Sequence, residues 1–213
     1  MDYGVLFDLD GTLLNTDLLI EKSFRHVFGQ YMPDYDLSYE EVLSFMGPSL
    51  KDTFERYFDK SMIDELVTCY RGYNIAHHND FVSIYPHIVE TLDALKNKGY
   101  KMAVVTTKMT DVARLGLDLF DLTKYFDCVI GMNEVSCVKP DPEGVFKALT
   151  ILGCKKGVMI GDNKSDILAG KNAGIHTIGV KWTPKGCQDL QQLNPDLMID
   201  DMSEIISFIE GEC

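Results

Sequence analysis

Val5-Leu6-Phe7-Asp8-Leu9-Asp10-Gly11-Thr12 decides how the rest of the chain is read. Three apolar residues followed by two acids, a glycine and a threonine predict a buried parallel strand that ends in a turn. A strand covered on both faces cannot carry an ionised carboxylate along its length, because such a group out of water must be paired, metal-bound or neutralised. Asp8 and Asp10 are therefore expected at the carboxyl edge of a sheet, where open α/β proteins place their ligands. At roughly 4 Å and an effective dielectric near 20, two such charges repel by about 4 kcal/mol. A hard divalent cation removes that repulsion, and magnesium suits one or two carboxylates, a few waters and a phosphate oxygen. Taken alone, the stretch also suits a solvated turn with two acids, so the decision rests on the other strands.

Beyond Leu14 the pattern changes. From residue 15 to 81 the apolar positions recur with helical spacing (Leu18, Leu19, Val27 and Phe28, then Leu50, Phe54, Tyr57 and Phe58), and no strand-like run occurs. Breaks at Met32-Pro33-Asp34, Gly47-Pro48-Ser49 and Lys60-Ser61 divide the block into about four helices. A helical block placed after the first strand and before the second is an insertion, expected to act as a lid. The α/β rhythm then resumes. Strands are expected at 101–106, 127–130, 157–160, 177–180 and 197–199, with helices at 84–98, 111–118, 142–152, 165–173 and 202–209. Six strands alternating with helices predict a doubly wound parallel, Rossmann-like sheet, so the chain divides into an α/β core at 1–14 and 82–213 and an all-helical cap at 15–81.

Three later strand ends carry polar groups. Val104-Val105 stops at Thr106-Thr107, a hydroxyl and backbone N–H groups suited to phosphate oxygens, although threonine after a strand is also an ordinary turn residue. Lys139 precedes Pro140, which restricts it to an extended conformation. It is either a solvent-facing loop residue or a cation that neutralises a carboxylate and a transferring phosphoryl group. Ile160-Gly161-Asp162 repeats the strand-then-acid design of the first stretch, with Asp166 one helical turn later. Asp162 suits a metal ligand; Asp166 suits either a helix cap or a bond to Lys139 or a metal-bound water. In a parallel sheet these ends converge on one site. The chain has no GxxxxGK[ST] or GxGxxG signature to suggest a nucleotide fold.

Composition bounds the possibilities. The 213 residues suffice for one α/β core with an insertion, and 46% hydrophobic with 25% charged residues is the balance of a globular protein. A formal net charge of -13 argues against nucleic-acid binding and against docking on anionic membranes. With no apolar run near about 18 residues and no basic leader, a cytoplasmic protein is expected, with a monomer as the default. Cys69, Cys128, Cys137, Cys154, Cys187 and Cys213 lack zinc-site spacing and are expected to be reduced.

The ordered set FDLDGTLL at 7–14, VVTT at 104–107, KPDP at 139–142 and GDNKSD at 161–166 resembles the four motifs of the haloacid dehalogenase (HAD) superfamily over the whole chain. The position of the helical insertion resembles the subgroup with a C1-type cap, which includes phosphoglycolate phosphatases and β-phosphoglucomutases. GPSLKDTF at 47–54, Tyr70-Arg71 through His77-His78, TTK at 106–108 and GVKWTPKG at 179–186 are more narrowly similar to the HAD-family inorganic pyrophosphatases of Gram-positive bacteria. The resemblance implies that Asp8 is the nucleophile forming an aspartyl-phosphate, Asp10 the acid and base, Thr106 the holder of the phosphoryl group and Lys139 the cation steadying both. It also implies Mg2+ on Asp8, the Asp10 carbonyl and Asp162, with Asp166 beside them. Carboxylate nucleophiles and charge stabilisation fit that chemistry.

The cap holds twelve acids and six bases, so no general field draws in a polyanion. Lys51, Arg71, His77 and His78 are the candidate substrate-binding residues there, with Thr107 in the core; each also suits a solvated surface. The expected function is hydrolysis of a small phosphate substrate, with inorganic pyrophosphate first and phosphoglycolate or another small phosphomonoester second. A phospho-accepting regulatory switch is the alternative of another class.

Overall fold

In the computed structural model, which describes residues 2–212, strand β1 (Tyr3–Phe7) leads to a short strand β2 (Leu14–Asn15) and then to helices α1 (Asp17–Tyr31), α2 (Tyr39–Phe45), α3 (Leu50–Phe54), α4 (Ile63–Ala76) and α5 (His78–Phe81). After a short strand β3 (Ser83–Ile84) the chain alternates: α6 (Ile88–Asn97), β4 (Lys101–Val105), α7 (Thr110–Leu119), β5 (Cys128–Ile130), α8 (Glu143–Leu152), β6 (Lys156–Gly161), α9 (Lys164–Asn172), β7 (His176–Val180), α10 (Gln188–Gln192), β8 (Leu197–Ile199) and α11 (Glu204–Glu212). By its contacts the chain forms two units, one running to Asn15 and resuming at Ile84, the other Thr16–Ser83.

The first unit is built on a six-stranded sheet in the order β5-β4-β1-β6-β7-β8, with every neighbouring pair parallel. All five residues of β1 are buried, as an apolar strand covered on both faces requires. Its register sets Phe7 opposite Val104 on one side and Ile160 on the other, so the three strands reach their carboxyl ends together. The chain passes from β1 outward through β4 to β5, then returns to β6 on the other side of β1. That reversal opens a crevice at the carboxyl end of β1. Helix α8 buries Val145, Ala148, Leu149 and Leu152 against Leu6, Ala103, Val105 and Met159 of the sheet. Each Val, Leu or Met among them contributes about 1.5–3 kcal/mol when fully buried.

The second unit is all-helical with an aromatic core. Phe24 lies 4.9 Å from Phe45, 5.6 Å from Phe54 and 4.8 Å from Tyr70, ring centre to ring centre, with Val27, Phe28 and Leu66 packed around them. Its breaks fall where Pro33, Gly47-Pro48 and Ser61 stand, and one more separates α4 from α5. There His77 leaves helical geometry (φ -109°, ψ 12°) without a glycine or proline to announce it. Helix α6 begins at Ile88 rather than at Ile84-Tyr85-Pro86, because Ile84 belongs to β3 and His87 takes a left-handed conformation (φ 58°) ahead of the helix. Helix α10 went unanticipated: with Leu190 its only buried residue, it offers no apolar period to read. Cys69, Cys128, Cys137, Cys154 and Cys187 are free thiols; Cys213 lies outside the described residues. No helix among the described residues is long and apolar enough to cross a membrane.

Candidate active site

Beyond Phe7 the chain turns sharply: the Leu13 and Leu14 N–H groups both donate to the Leu9 carbonyl at 3.0 Å, and Gly11 takes φ +80°. Gly11 is required twice over. That conformation suits a residue without Cβ, and a Cβ there would come within 2.7 Å of the Asp162 carboxylate. At the end of β6, a Cβ on Gly161 would lie 2.3 Å from Asp166. Two glycines thus let acids from distant parts of the sequence close up. Asp8, Asp162 and Asp166 are all buried, and each has a carboxylate oxygen within 4.8 Å of the others'.

Lys139 is buried among them, on the loop between β5 and α8. Its Nζ donates to Asp8 Oδ1 at 2.7 Å, Asp166 Oδ1 at 2.5 Å and the Val105 carbonyl at 2.8 Å. Asp166 Oδ2 accepts from the Asn163 N–H at 2.9 Å, so one carboxylate caps α9 and also holds the lysine. Burial would lower the Lys139 pKa, but attraction from Asp166 and Asp8 outweighs it and the pKa is raised. For the acids the balance runs the other way. Burial, reinforced by Asp166 and Asp162, lifts Asp8 well above the usual carboxylate range in spite of Lys139. Burial and Asp166 bring Asp162 to about 6, against the pull of Lys185 and Lys139. Acids that resist ionisation together form a site short of positive charge. All their donors are oxygens, which suits a hard divalent cation.

Asp10 lies at the rim of this cluster, where its Oδ1 accepts from Lys108 Nζ at 2.9 Å. Thr106 is buried directly after β4, and its Oγ1 accepts from the Lys108 N–H at 3.2 Å; Thr107 is half-buried beside it. The core unit therefore gathers Asp8, Asp10, Thr106, Thr107, Lys139, Asp162 and Asp166 at one sheet edge. The remaining candidates belong to the helical unit. Lys51 is exposed on α3 with its Nζ 3.9 Å from Glu55, and Arg71 is half-buried on α4. His77 pairs with Asp80 at 3.2 Å, and His78 is buried, 1% exposed.

Sequence reasoning singles out the stretches that hold Lys108, Asn163, Trp182 and Lys185 but gives none of the four a site role. Trp182 Nε1 donates to the Gly11 carbonyl at 3.0 Å and pins the turn after β1. Lys185 Nζ lies 3.2 Å from Asp162 Oδ2 and also bonds Asn163 Oδ1. The available signal was position: Lys108 follows β4, and Trp182 and Lys185 follow β7, each at the same sheet edge as the acids.

A doubly wound parallel sheet with an acid after its central strand, a buried lysine and further acids after the neighbouring strand defines a hydrolase of the haloacid dehalogenase type. The chain belongs to the haloacid dehalogenase-like hydrolase family, whose model matches residues 5–180. It is 45% identical over 210 residues to pyrophosphatase PpaX of Listeria monocytogenes, an alignment covering 98% of this chain and 96% of that one. Among solved structures it is similar to a haloacid dehalogenase-like family hydrolase from Streptococcus pneumoniae, with TM-score 0.87, 26% identity, and 97% and 98% of the two chains covered. It is also similar to a predicted phosphoglycolate phosphatase from Haemophilus somnus, with TM-score 0.81, 25% identity, and 98% and 99% covered.

Proposed function

We propose that this protein is a magnesium-dependent inorganic pyrophosphatase acting through a phosphorylated Asp8. One observation carries the choice of substrate: the 45% identity with pyrophosphatase PpaX extends over 98% of this chain. The chemistry rests on the buried acids and lysine. The Asp8 carboxylate attacks phosphorus; an Asp8 oxygen–phosphorus bond forms as the bridging phosphorus–oxygen bond breaks, and the second phosphate leaves with the electron pair. Asp10 supplies a proton to the departing oxygen. Water then attacks the phosphorus of the aspartyl-phosphate, Asp10 takes up its proton, and the Asp8 carboxylate is released with phosphate. Thr106 and the N–H groups after β4 hold the phosphoryl oxygens, and Thr107 adds a hydroxyl. Lys139 stays bonded to Asp8 Oδ1 and orients the nucleophile. Magnesium, held by Asp8, Asp162 and the Asp10 carbonyl with Asp166 beside them, would neutralise the carboxylates and the substrate oxygens.

The likeness to a predicted phosphoglycolate phosphatase, at 25% identity, supports a second reading with the same steps and a small phosphomonoester as substrate. Turnover of pyrophosphate and of phosphoglycolate by the full chain with Mg2+ separates the two. The expected result is a kcat/KM for pyrophosphate at least about tenfold higher. A preference for phosphoglycolate would reverse the assignment, and turnover of neither would remove both.

A further inference from the structure

The oxygens of the three buried acids can be followed one at a time. Asp166 Oδ1 accepts from Lys139 at 2.5 Å and its Oδ2 from the Asn163 N–H at 2.9 Å. Asp8 Oδ1 accepts from Lys139 at 2.7 Å, and among the described residues no hydrogen bond reaches Asp8 Oδ2. Asp162 Oδ1 accepts from Asn163 Nδ2 at 2.8 Å, and its Oδ2 faces Lys185 Nζ at 3.2 Å. A cation drawn to the cluster thus meets two ammonium groups that already serve it.

These two lysines are not equivalent. Lys139 is 4% exposed in its side chain and has three acceptors, the Val105 carbonyl among them; moving it would leave buried charges uncompensated. Lys185 is 21% exposed and reaches in from the loop after β7. That loop is tied to the Gly11 carbonyl at Trp182, so the backbone is anchored while the flexible lysine arm beyond it can swing. Two cations on one carboxylate repel.

We propose that Lys185 is a displaceable counterion of the buried acids: it occupies Asp162 in the metal-free protein, yields that oxygen to the divalent cation, and so sets how tightly the cation is held. The inference rests on the metal site proposed above and assigns Lys185 a positioning role, acting through Asp162. A merely structural lysine would behave oppositely, since its loss would disorder Asp162 and weaken metal binding.

Calorimetric titration of Mg2+ into the full chain, without substrate and at fixed ionic strength, separates these roles. Lys185→Met and Lys185→Gln, each checked for native circular dichroism, are expected to bind Mg2+ at least about threefold tighter than the wild type. Lys185→Arg, which keeps the charge, should stay within about twofold of the wild type. Unchanged or weaker binding in both neutral variants would overturn the proposal while leaving the metal site standing. If the wild type shows no saturable binding, or Asp162→Asn binds as well as the wild type, the metal site itself fails and this inference falls with it.

Discussion

Asp166 shows how one side chain can meet two demands that look exclusive in the sequence. Its position one turn into α9 suits a cap, and its distance from Asp162 suits a bond to Lys139. The carboxylate has two oxygens and does both. Asp8 and Asp162 were legible because an ionisable group at the end of a buried strand has few structural uses; Lys139, expected at a strand end, stands instead on the loop between β5 and α8, and its KPDP stretch rather than its position pointed to it. Lys108 and Lys185 were not, because a lysine just after a strand is ordinarily solvated and only the fold shows which acid it reaches. Gly161 makes the cluster possible, and Gly161→Ala would drive a Cβ to 2.3 Å from Asp166. We expect this variant to lose at least about tenfold in kcat, because a small misplacement of catalytic groups is costly. Wild-type turnover in steady-state assays would show that the placement of Asp166 is immaterial.

Among the elements, those with a strong apolar period were readable and those held by local polar geometry were not. The six strands and the helices around them followed from runs of buried residues; α10 and the break at His77 have no such run. Strand order was hidden too, since it depends on which faces pack after the chain has turned back. Helix α2 is a case where local chemistry is explicit. Ser38 Oγ accepts from the Glu41 N–H at 3.2 Å while Glu41 Oε2 accepts from the Ser38 N–H at 3.0 Å. Hydrogen bonds from Tyr35 and Ser38 lower the Glu41 pKa from 4.5 to about 2. An acid depressed on folding adds stability above its unfolded pKa and loses it as pH falls through its folded one. Ser38→Ala should therefore lower Tm by roughly 2–5 °C at neutral pH, with the deficit shrinking as pH falls from about 4.5 towards 2. Thermal melts across that range check it, and a deficit independent of pH would assign the effect to the lost bond from the Glu41 N–H to Ser38 Oγ alone.

For the whole molecule, the dominant electrostatic fact is acid brought together against a net charge of -13. Asp8 lies well above its usual range and Asp162 at about 6, each raised chiefly by burial. Carboxyls raised on folding make the native chain bind more protons than the unfolded one, so stability falls as pH rises from about 4 through about 6 and beyond. A divalent cation binds the ionised form and cancels this loss. Added Mg2+ should thus raise Tm more at about pH 7.5 than at about pH 5, and an equal rise at both, or none, would argue against a cation at the buried acids. The central claim is chemical: Asp8 takes the phosphoryl group. Mass spectrometry of the full chain, acid-quenched during turnover of pyrophosphate with Mg2+, tests it most directly. The account predicts one phosphoryl group on the peptide containing Asp8, absent from an inactive Asp8→Asn variant; continued turnover by that variant with no phosphorylated peptide would contradict it.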